Sequence, residues 1–148
     1  MQKLRSVDKV LCRHTGDLHT ETLHHRSGQL VHTDAPVDHA GKGENFAPTD
    51  LVATALGSCF LTVMAIKARE KGWKFNGVSI EVEKVMTTKG PRKIKELTLN
   101  VEMPQDLNSN QLIVLKNVTK DCPVLQNLKD SIKITVNWKT KKRIPRHC

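Results

Sequence analysis

The longest apolar stretch of the chain lies between residues 48 and 71 and has the spacing of an α-helix. Projected at about 100° per residue, its apolar side chains fall on two opposite faces. One face carries Val52, Ala55, Leu56, Cys59, Val63 and Ile66, and the other carries Ala53, Gly57, Leu61, Ala65 and Ala68. A helix that is apolar all round is a buried helix, so this pattern predicts a long central helix with Cys59 inside the protein.

The residues at both ends of this stretch are typical of helix ends. Pro48 suits a first turn, Thr49 can cap it, and Asp50 complements the positive end of the helix dipole. Gly72 follows a basic last turn, as the residue after a helix often does. We therefore expect the central helix over about 48–71.

Alternation of apolar and polar residues predicts strands on both sides of the central helix. Residues 1–35 contain two or three N-terminal strands, and residues 77–103 contain a strand pair joined by a turn. Residues 108–140 contain helices interrupted at Pro123, then a closing strand. Grouped strands with single helices between them indicate an α+β fold with a largely antiparallel sheet packed on the helices. One domain over 1–148 is the simplest organisation.

The formal net charge of +9 raises the possibility of an acidic partner such as nucleic acid. Many of the excess basic residues lie in a C-terminal tail over 139–148. If this tail is solvated, its charge needs no partner. The chain has three Phe, two Trp and no Tyr, so side chains that could stack on bases are scarce. We therefore do not expect nucleic acid to be the main partner.

The N-terminus has no apolar segment after its first charges, so we expect no signal peptide. The apolar run over 51–66 is shorter than the roughly 20 residues that span a bilayer, and it includes Thr54, Ser58 and Thr62. The sequence predicts a cytoplasmic protein without a membrane span, whose thiols stay mostly reduced. The four cysteines are Cys12, Cys59, Cys122 and Cys148.

Two of these cysteines lie in sequence contexts that suggest a chemical role. Cys59 lies too deep in its helix for the dipole to stabilise a thiolate, so its reactivity needs a neighbouring cation or hydrogen-bond donor. Cys122 precedes Pro123 and can cap a helix, where free N–H groups lower a thiol pKa, although Asp121 opposes this. The two thiols form a peroxidatic and resolving pair if the fold brings them together. The alternative is that both are inert.

Six histidines fall in the N-terminal part of the chain and raise the question of a metal site. They are His14, His19, His24, His25, His32 and His39. No HxH or HExxH motif occurs among them. We therefore interpret them as scattered surface residues and expect neither a metal nor a cofactor.

Three short motifs together resemble the OsmC/Ohr family of osmotically inducible proteins and organic hydroperoxide reductases. They are APTDL at 47–51, ALGSCF at 55–60 and DCP at 121–123. The resemblance implies an OsmC-like α+β fold in which antiparallel sheets pack around a long central helix. It also implies an intertwined homodimer with active sites at the interface.

The same resemblance implies a thiol-dependent peroxidase that reduces organic or hydrogen peroxides. Cys59 would be the peroxidatic cysteine that attacks the O–O bond and becomes a sulfenic acid. Cys122 would then condense with it to a disulfide, which a dithiol such as a lipoyl group reduces.

The chain departs from the hydroperoxide reductases at the residues that activate the thiol. Those enzymes have a Glu where this chain has Thr49, and Asp50 is the neighbouring carboxylate. Their activating Arg falls near His19 here, with Arg13 and Arg26 close by in the sequence. The chain is more similar to a general OsmC-type branch, with Asp50 and Thr49 as supporting residues.

Two other functions stay open at this point. One is a non-catalytic protein of the same fold that binds a small apolar ligand at the dimer interface and keeps both cysteines inert. The other is a basic protein that binds nucleic acid through its C-terminal tail.

Overall fold

A computed structural model of the chain describes residues 7–142. These residues form two compact units, which divide between residues 51 and 52. The basic tail beyond residue 142 and Cys148 lie outside the described residues. The sequence prediction of a single domain stays a prediction.

The first unit is built on a three-stranded antiparallel meander. Its strands are β1 (Val10–Gly16), β2 (His19–His24) and β3 (Leu30–Asp34), in the order β1-β2-β3. The tight turn between the first two strands places Asp17 and Leu18 in the left-handed region, at φ 50° and 62°. A short 3-10 turn at Val37–His39 follows β3, and Thr33 then bridges to Phe46 just before the long helix.

The long helix α1 spans Pro48–Lys71, as its end signals predict. Asp50 explains its start, because the Asp50 carboxylate accepts the backbone N–H of Ala47 at 2.8 Å. This bond satisfies a backbone donor that the first helical turn leaves without a partner. Gly72 ends the helix with φ at +69°, a conformation that glycine adopts without strain.

The second unit contains a mixed three-stranded sheet. Its strands are β4 (Ser79–Met86), β5 (Ile94–Met103) and β6 (Lys133–Thr140), in the order β4-β5-β6. The first pair is antiparallel and the second is parallel. A parallel neighbour requires a crossover connection, and the segment between β5 and β6 provides one. It contains α2 (Ser109–Val118), a 3-10 turn at Thr119–Asp121 and α3 (Pro123–Leu128).

The core of the second unit lies between α1 and the sheet. On the inward face of β5, Leu97, Leu99 and Val101 are fully buried. The helix contributes one stripe to this core, formed by Ala53, Leu56, Gly57, Phe60, Met64 and Ala68. Largely antiparallel pairing and an α+β fold are confirmed.

The prediction that α1 is buried on all sides is wrong for the single chain. Only the stripe that faces the sheet is fully buried, and Ala55 and Ile66 on the predicted apolar face are exposed. A single sheet can cover only one side of a helix, which leaves the opposite apolar side uncovered. By length and composition α1 could also cross a membrane, but a core helix of a soluble protein meets the same criteria, so this is weak evidence.

Gly57 allows α1 to approach β4 closely. A Cβ added at this position would stand 2.9 Å from Cγ2 of Val82. We expect Gly57→Ala to destabilise the protein, because the stiff Val82 side chain must move. In a Val82→Ala background the same change should be stabilising by up to about 1 kcal/mol, since alanine favours helix.

Urea unfolding of the wild type, both single variants and the double variant measures this coupling. We expect the effects of the two changes to differ from additivity by about 1 kcal/mol or more. An equal effect of Gly57→Ala in both backgrounds would show that the close approach does not matter.

Candidate functional site

Cys59 lies on α1 at the edge of the buried stripe. Its neighbours Leu56 and Phe60 are fully buried, and the Cys59 side chain itself is half-buried and packs against the core. The thiol is free. The helix therefore presents one sulfur at the boundary between the core and the surface.

Cys122 is placed by a sharp change of direction in the chain. The 3-10 turn Thr119–Asp121 ends where the Cys122 N–H donates to the Thr119 carbonyl, and Pro123 begins α3. Cys122 is the N-cap, as its position before proline predicts, and its sulfur accepts the N–H of Leu125 at 3.4 Å. The side chain is completely buried and its thiol is free.

The fold of the second unit brings these two thiols into contact. The Cys59 thiol lies close enough to the Cys122 thiol to raise the pKa of Cys122. Sequence spacing could not establish this contact, because the two residues come from separate helices with a whole hairpin between them. A half-buried thiol and a buried thiol therefore lie side by side.

The electrostatic environment of Cys122 is the reverse of what its N-cap position predicts. Burial, followed by the contact with Cys59, raises the pKa of the Cys122 thiol to about 11. The N–H groups of Leu125 and Val124 oppose this shift but do not overcome it. Desolvation disfavours a thiolate more than these two donors stabilise it. Cys122 consequently keeps its proton at neutral pH.

Thr49 and Asp50 lie in the first turn of α1. Both are half-buried, and the Asp50 carboxylate is used in the helix start through its bond to Ala47. Thr49 has interactions of its own as well. Their support of the cysteines stays a prediction.

The remaining candidates in the N-terminal strands are mostly at the surface. Arg26 forms an ion pair with Asp8, with 2.6 Å between Nη2 and Oδ1, while Arg13 is exposed. Cys12 is exposed and accepts a hydrogen bond from Thr22 at 3.3 Å. Among the histidines, His14, His25, His32 and His39 are exposed and His19 and His24 are half-buried.

A cavity in the second unit was not foreseen from the sequence. Its volume is about 550 Å³. Apolar residues that line it include Phe60, Leu125, Ile132, Ile134, Val136 and Trp138, and four lysines that line it are Lys116, Lys120, Lys129 and Lys133. The Lys116 ammonium stands 5.5 Å from the centre of the Trp138 ring. The only sequence signal was the apolar face of the closing strand, which gives no sign of a cavity.

The shifted pKa of Cys122 predicts a pH dependence of stability. The folded chain holds this proton up to about pH 11, whereas a thiol of ordinary pKa 9.0 in the unfolded chain loses it earlier. The stabilisation is therefore complete below pH 9.0 and is lost as the pH rises towards 11.

Urea unfolding in reducing buffer tests this effect. It is measured at one pH below 9.0 and at one pH midway between 9.0 and 11. The free energy of unfolding should fall more steeply with pH in the wild type than in Cys122→Ala. Cys12→Ala removes an exposed thiol and serves as the matched control. If the free energy of unfolding falls with pH no more steeply in the wild type than in Cys122→Ala, the role of burial is contradicted.

Known proteins share both the sequence and the fold of this chain. A family model described as OsmC-like protein matches residues 41–137. A candidate osmotic stress induced and detoxification response protein from Psychrobacter arcticus 273-4 is 36% identical, with a TM-score of 0.83. The match covers 92% of this chain and 98% of that chain. No curated protein matches.

More distant structures have the same fold. An OsmC like protein from Mycoplasma pneumoniae is 21% identical, with a TM-score of 0.77 over 96% of this chain and 100% of that chain. The organic hydroperoxide resistance protein OhrB of Bacillus subtilis is 20% identical, with a TM-score of 0.68 over 90% of this chain and 98% of that chain. The family model and the Psychrobacter relative establish that the chain belongs to the OsmC-like protein family.

Proposed function

We propose that this protein is a cysteine-dependent hydroperoxide reductase that acts in a peroxide stress response. The observation that carries the proposal is the contact between the Cys59 and Cys122 thiols. Adjacent reduced thiols that differ in exposure are the arrangement that a peroxidatic and resolving pair needs. Relatives named for detoxification and for organic hydroperoxide resistance agree with it.

In the first step the Cys59 sulfur attacks one oxygen of the peroxide as a thiolate. An S–O bond forms, the O–O bond breaks, and the departing alkoxide takes up a proton and leaves as an alcohol. Cys59 becomes a sulfenic acid, so the sulfur is oxidised by two electrons and the peroxide is reduced by two.

In the second step the sulfur of Cys122 attacks the sulfur of the Cys59 sulfenic acid. A disulfide forms, and the sulfenic oxygen leaves as water with the proton of the Cys122 thiol. A dithiol reductant then exchanges with this disulfide, becomes oxidised to its own disulfide, and returns both cysteines to thiols.

Burial decides which cysteine reacts first. Cys59 is half-buried and can meet a small peroxide, whereas Cys122 is enclosed and holds its proton because its pKa is raised to about 11. The thiolate is the nucleophile, so Cys122 is the poorer attacking group. These differences support Cys59 as peroxidatic and Cys122 as resolving residue. Reduced thiols also suit a cytoplasmic location.

A second candidate function is the binding of a small apolar ligand. The cavity of about 550 Å³ favours it, because ligand sites commonly have volumes of a few hundred Å³ and apolar linings. This cavity lies within one chain, whereas the sequence suggested a ligand at a dimer interface. In this case the cysteines are inert, and replacing them leaves function unchanged.

We also propose that two copies of the chain associate through α1. The helix leaves an outer stripe of small and apolar side chains exposed to solvent, formed by Thr54, Ala55, Ser58, Thr62 and Ile66. Small side chains let two helices approach closely, and the exposed apolar side chains of Ala55 and Ile66 favour a partner that buries them. A second copy of α1 fits this stripe and agrees with the resemblance to intertwined dimers.

Replacing the two cysteines separately tests the peroxidase. Cys59→Ser should abolish consumption of an organic hydroperoxide with a dithiol reductant, because no other sulfur starts the reaction. Without reductant, Cys122→Ser should consume about one equivalent of peroxide and stop as a sulfenic acid, whereas the wild type stops as a disulfide, because the variant lacks the thiol that condenses with the sulfenic acid. Cys12→Ser should keep wild-type turnover, since that thiol is exposed in the other unit.

Peroxide consumption followed in a coupled assay with each variant measures these outcomes. Unchanged turnover in Cys59→Ser would overturn the proposed chemistry and favour the ligand-binding candidate.

The dimer is tested by placing a charge on the outer stripe of α1. Ile66 is 46% exposed on this stripe, and Ile113 is 57% exposed on α2. We expect Ile66→Asp to convert a dimer to a monomer, because an uncompensated charge would be buried at the interface. Ile113→Asp should leave the dimer intact.

Light scattering coupled to size-exclusion chromatography distinguishes the two masses, and circular dichroism checks that each variant is folded. A monomeric wild type, whose mass is 16.6 kDa, would contradict the proposed association.

A further inference from the structure

Three side chains of the first unit place their polar atoms together. His19 begins β2, Asp34 ends β3, and Glu44 lies in the loop before α1. The Nε2 atom of His19 is 3.1 Å from Oε2 of Glu44 and 3.6 Å from Oδ2 of Asp34. One donor atom from each residue lies within 4.8 Å of the other two. One imidazole and two carboxylates thus converge on a small volume.

Asp34 is the unusual member of this group because it is 1% exposed. Its Oδ2 accepts the backbone N–H of Glu44 at 3.0 Å, which fixes the carboxylate. Its Oδ1 is buried and has no hydrogen-bond partner among residues 7–142, although the N–H of Glu44, and more weakly those of Ala35 and Lys42, lower the pKa of this carboxyl. A buried carboxylate oxygen without a partner is costly. A group that supplies positive charge at this point would remove that cost.

We propose that His19, Asp34 and Glu44 bind one divalent transition-metal ion, for which Zn²⁺ is the probe. Ligand atoms about 2.1 Å from a single ion stand 3.1 to 3.6 Å apart when they subtend angles of about 95° to 120°. These angles bracket tetrahedral geometry. Imidazole and carboxylate ligands suit zinc, and solvent would complete the coordination.

The backbone around the three side chains holds them in place for this role. His19 also donates to the backbone carbonyl of Asp17. With Nε2 turned towards the carboxylates, this bond orients the ring and leaves Nε2 to act as the ligand. An open cavity lined by His19, Lys42 and Glu44 provides access for the ion.

A protonated His19 is the main rival to a metal ion. Burial lowers the pKa of His19, but Asp34, Glu44 and the Asp17 carbonyl together raise it above its ordinary value. One N–H at Nε2 can pair with Glu44 at 3.1 Å, but Oδ2 of Asp34 lies 3.6 Å away, beyond hydrogen-bond distance. The Lys42 side chain at the same cavity is a second rival cation. A metal ion would bind one oxygen of each carboxylate and neutralise both charges at once.

Isothermal titration of the reduced full-length protein with Zn²⁺ tests the site. We expect one ion per chain in the wild type and a loss of affinity of at least about tenfold in His19→Ala and in Glu44→Gln. Glu44 is exposed, so its replacement should not affect folding. His32→Ala is the matched control, because His32 lies on the same sheet, outside the proposed site, and pairs with Glu21 at 3.9 Å.

Cobalt distinguishes this site from the cysteines. Co²⁺ should bind the wild type without a cobalt-thiolate charge-transfer band and should lose its binding in Glu44→Gln. No binding of Zn²⁺ by the wild type, or equal binding by His19→Ala and the wild type, would overturn the proposal. A thiolate band would assign the metal to the cysteines instead and would also overturn it. None of these results depends on peroxidase activity.

Discussion

The packing of one face of α1 on the sheet β4-β5-β6 is the interaction on which the second unit depends. Leu56, Phe60 and Met64 recur at helical spacing and are almost completely buried against inward-facing residues of β5. Each such side chain contributes about 1.5 to 3 kcal/mol when it leaves water. The same packing fixes the rotation of α1, and this rotation turns Cys59 towards the crossover segment that carries Cys122.

The crossover segment supplies the other half of the site. A parallel partner for β5 requires the chain to return across the sheet before β6. The break between α2 and α3 occurs within that return, where Pro123 forces a new helix to begin after Cys122. Because the Cys122 side chain at this break is buried, the sulfur loses contact with water and its pKa rises. Topology and local sequence thus divide the roles of the two thiols.

Sequence patterns predicted the parts of this architecture that local chemistry controls. Pro48 and Gly72 mark both ends of α1, and Pro123 identifies Cys122 as an N-cap. Patterns alone did not identify which side of α1 is covered, because both sides are apolar. They also left the direction of the Cys122 pKa shift open, since a capping position shows the hydrogen-bond donors but not the burial that raises the pKa. Contacts between distant segments, including the one between the two thiols, depend on the tertiary fold.

The central claim is that Cys59 and Cys122 form a redox pair within one chain. Peptide mapping by mass spectrometry tests this claim most directly. The reduced protein is first treated with one equivalent of an organic hydroperoxide. The account predicts a loss of two hydrogens and a disulfide that joins the Cys59 peptide to the Cys122 peptide. Both thiols unmodified, or Cys59 overoxidised while Cys122 stays a thiol, would contradict it.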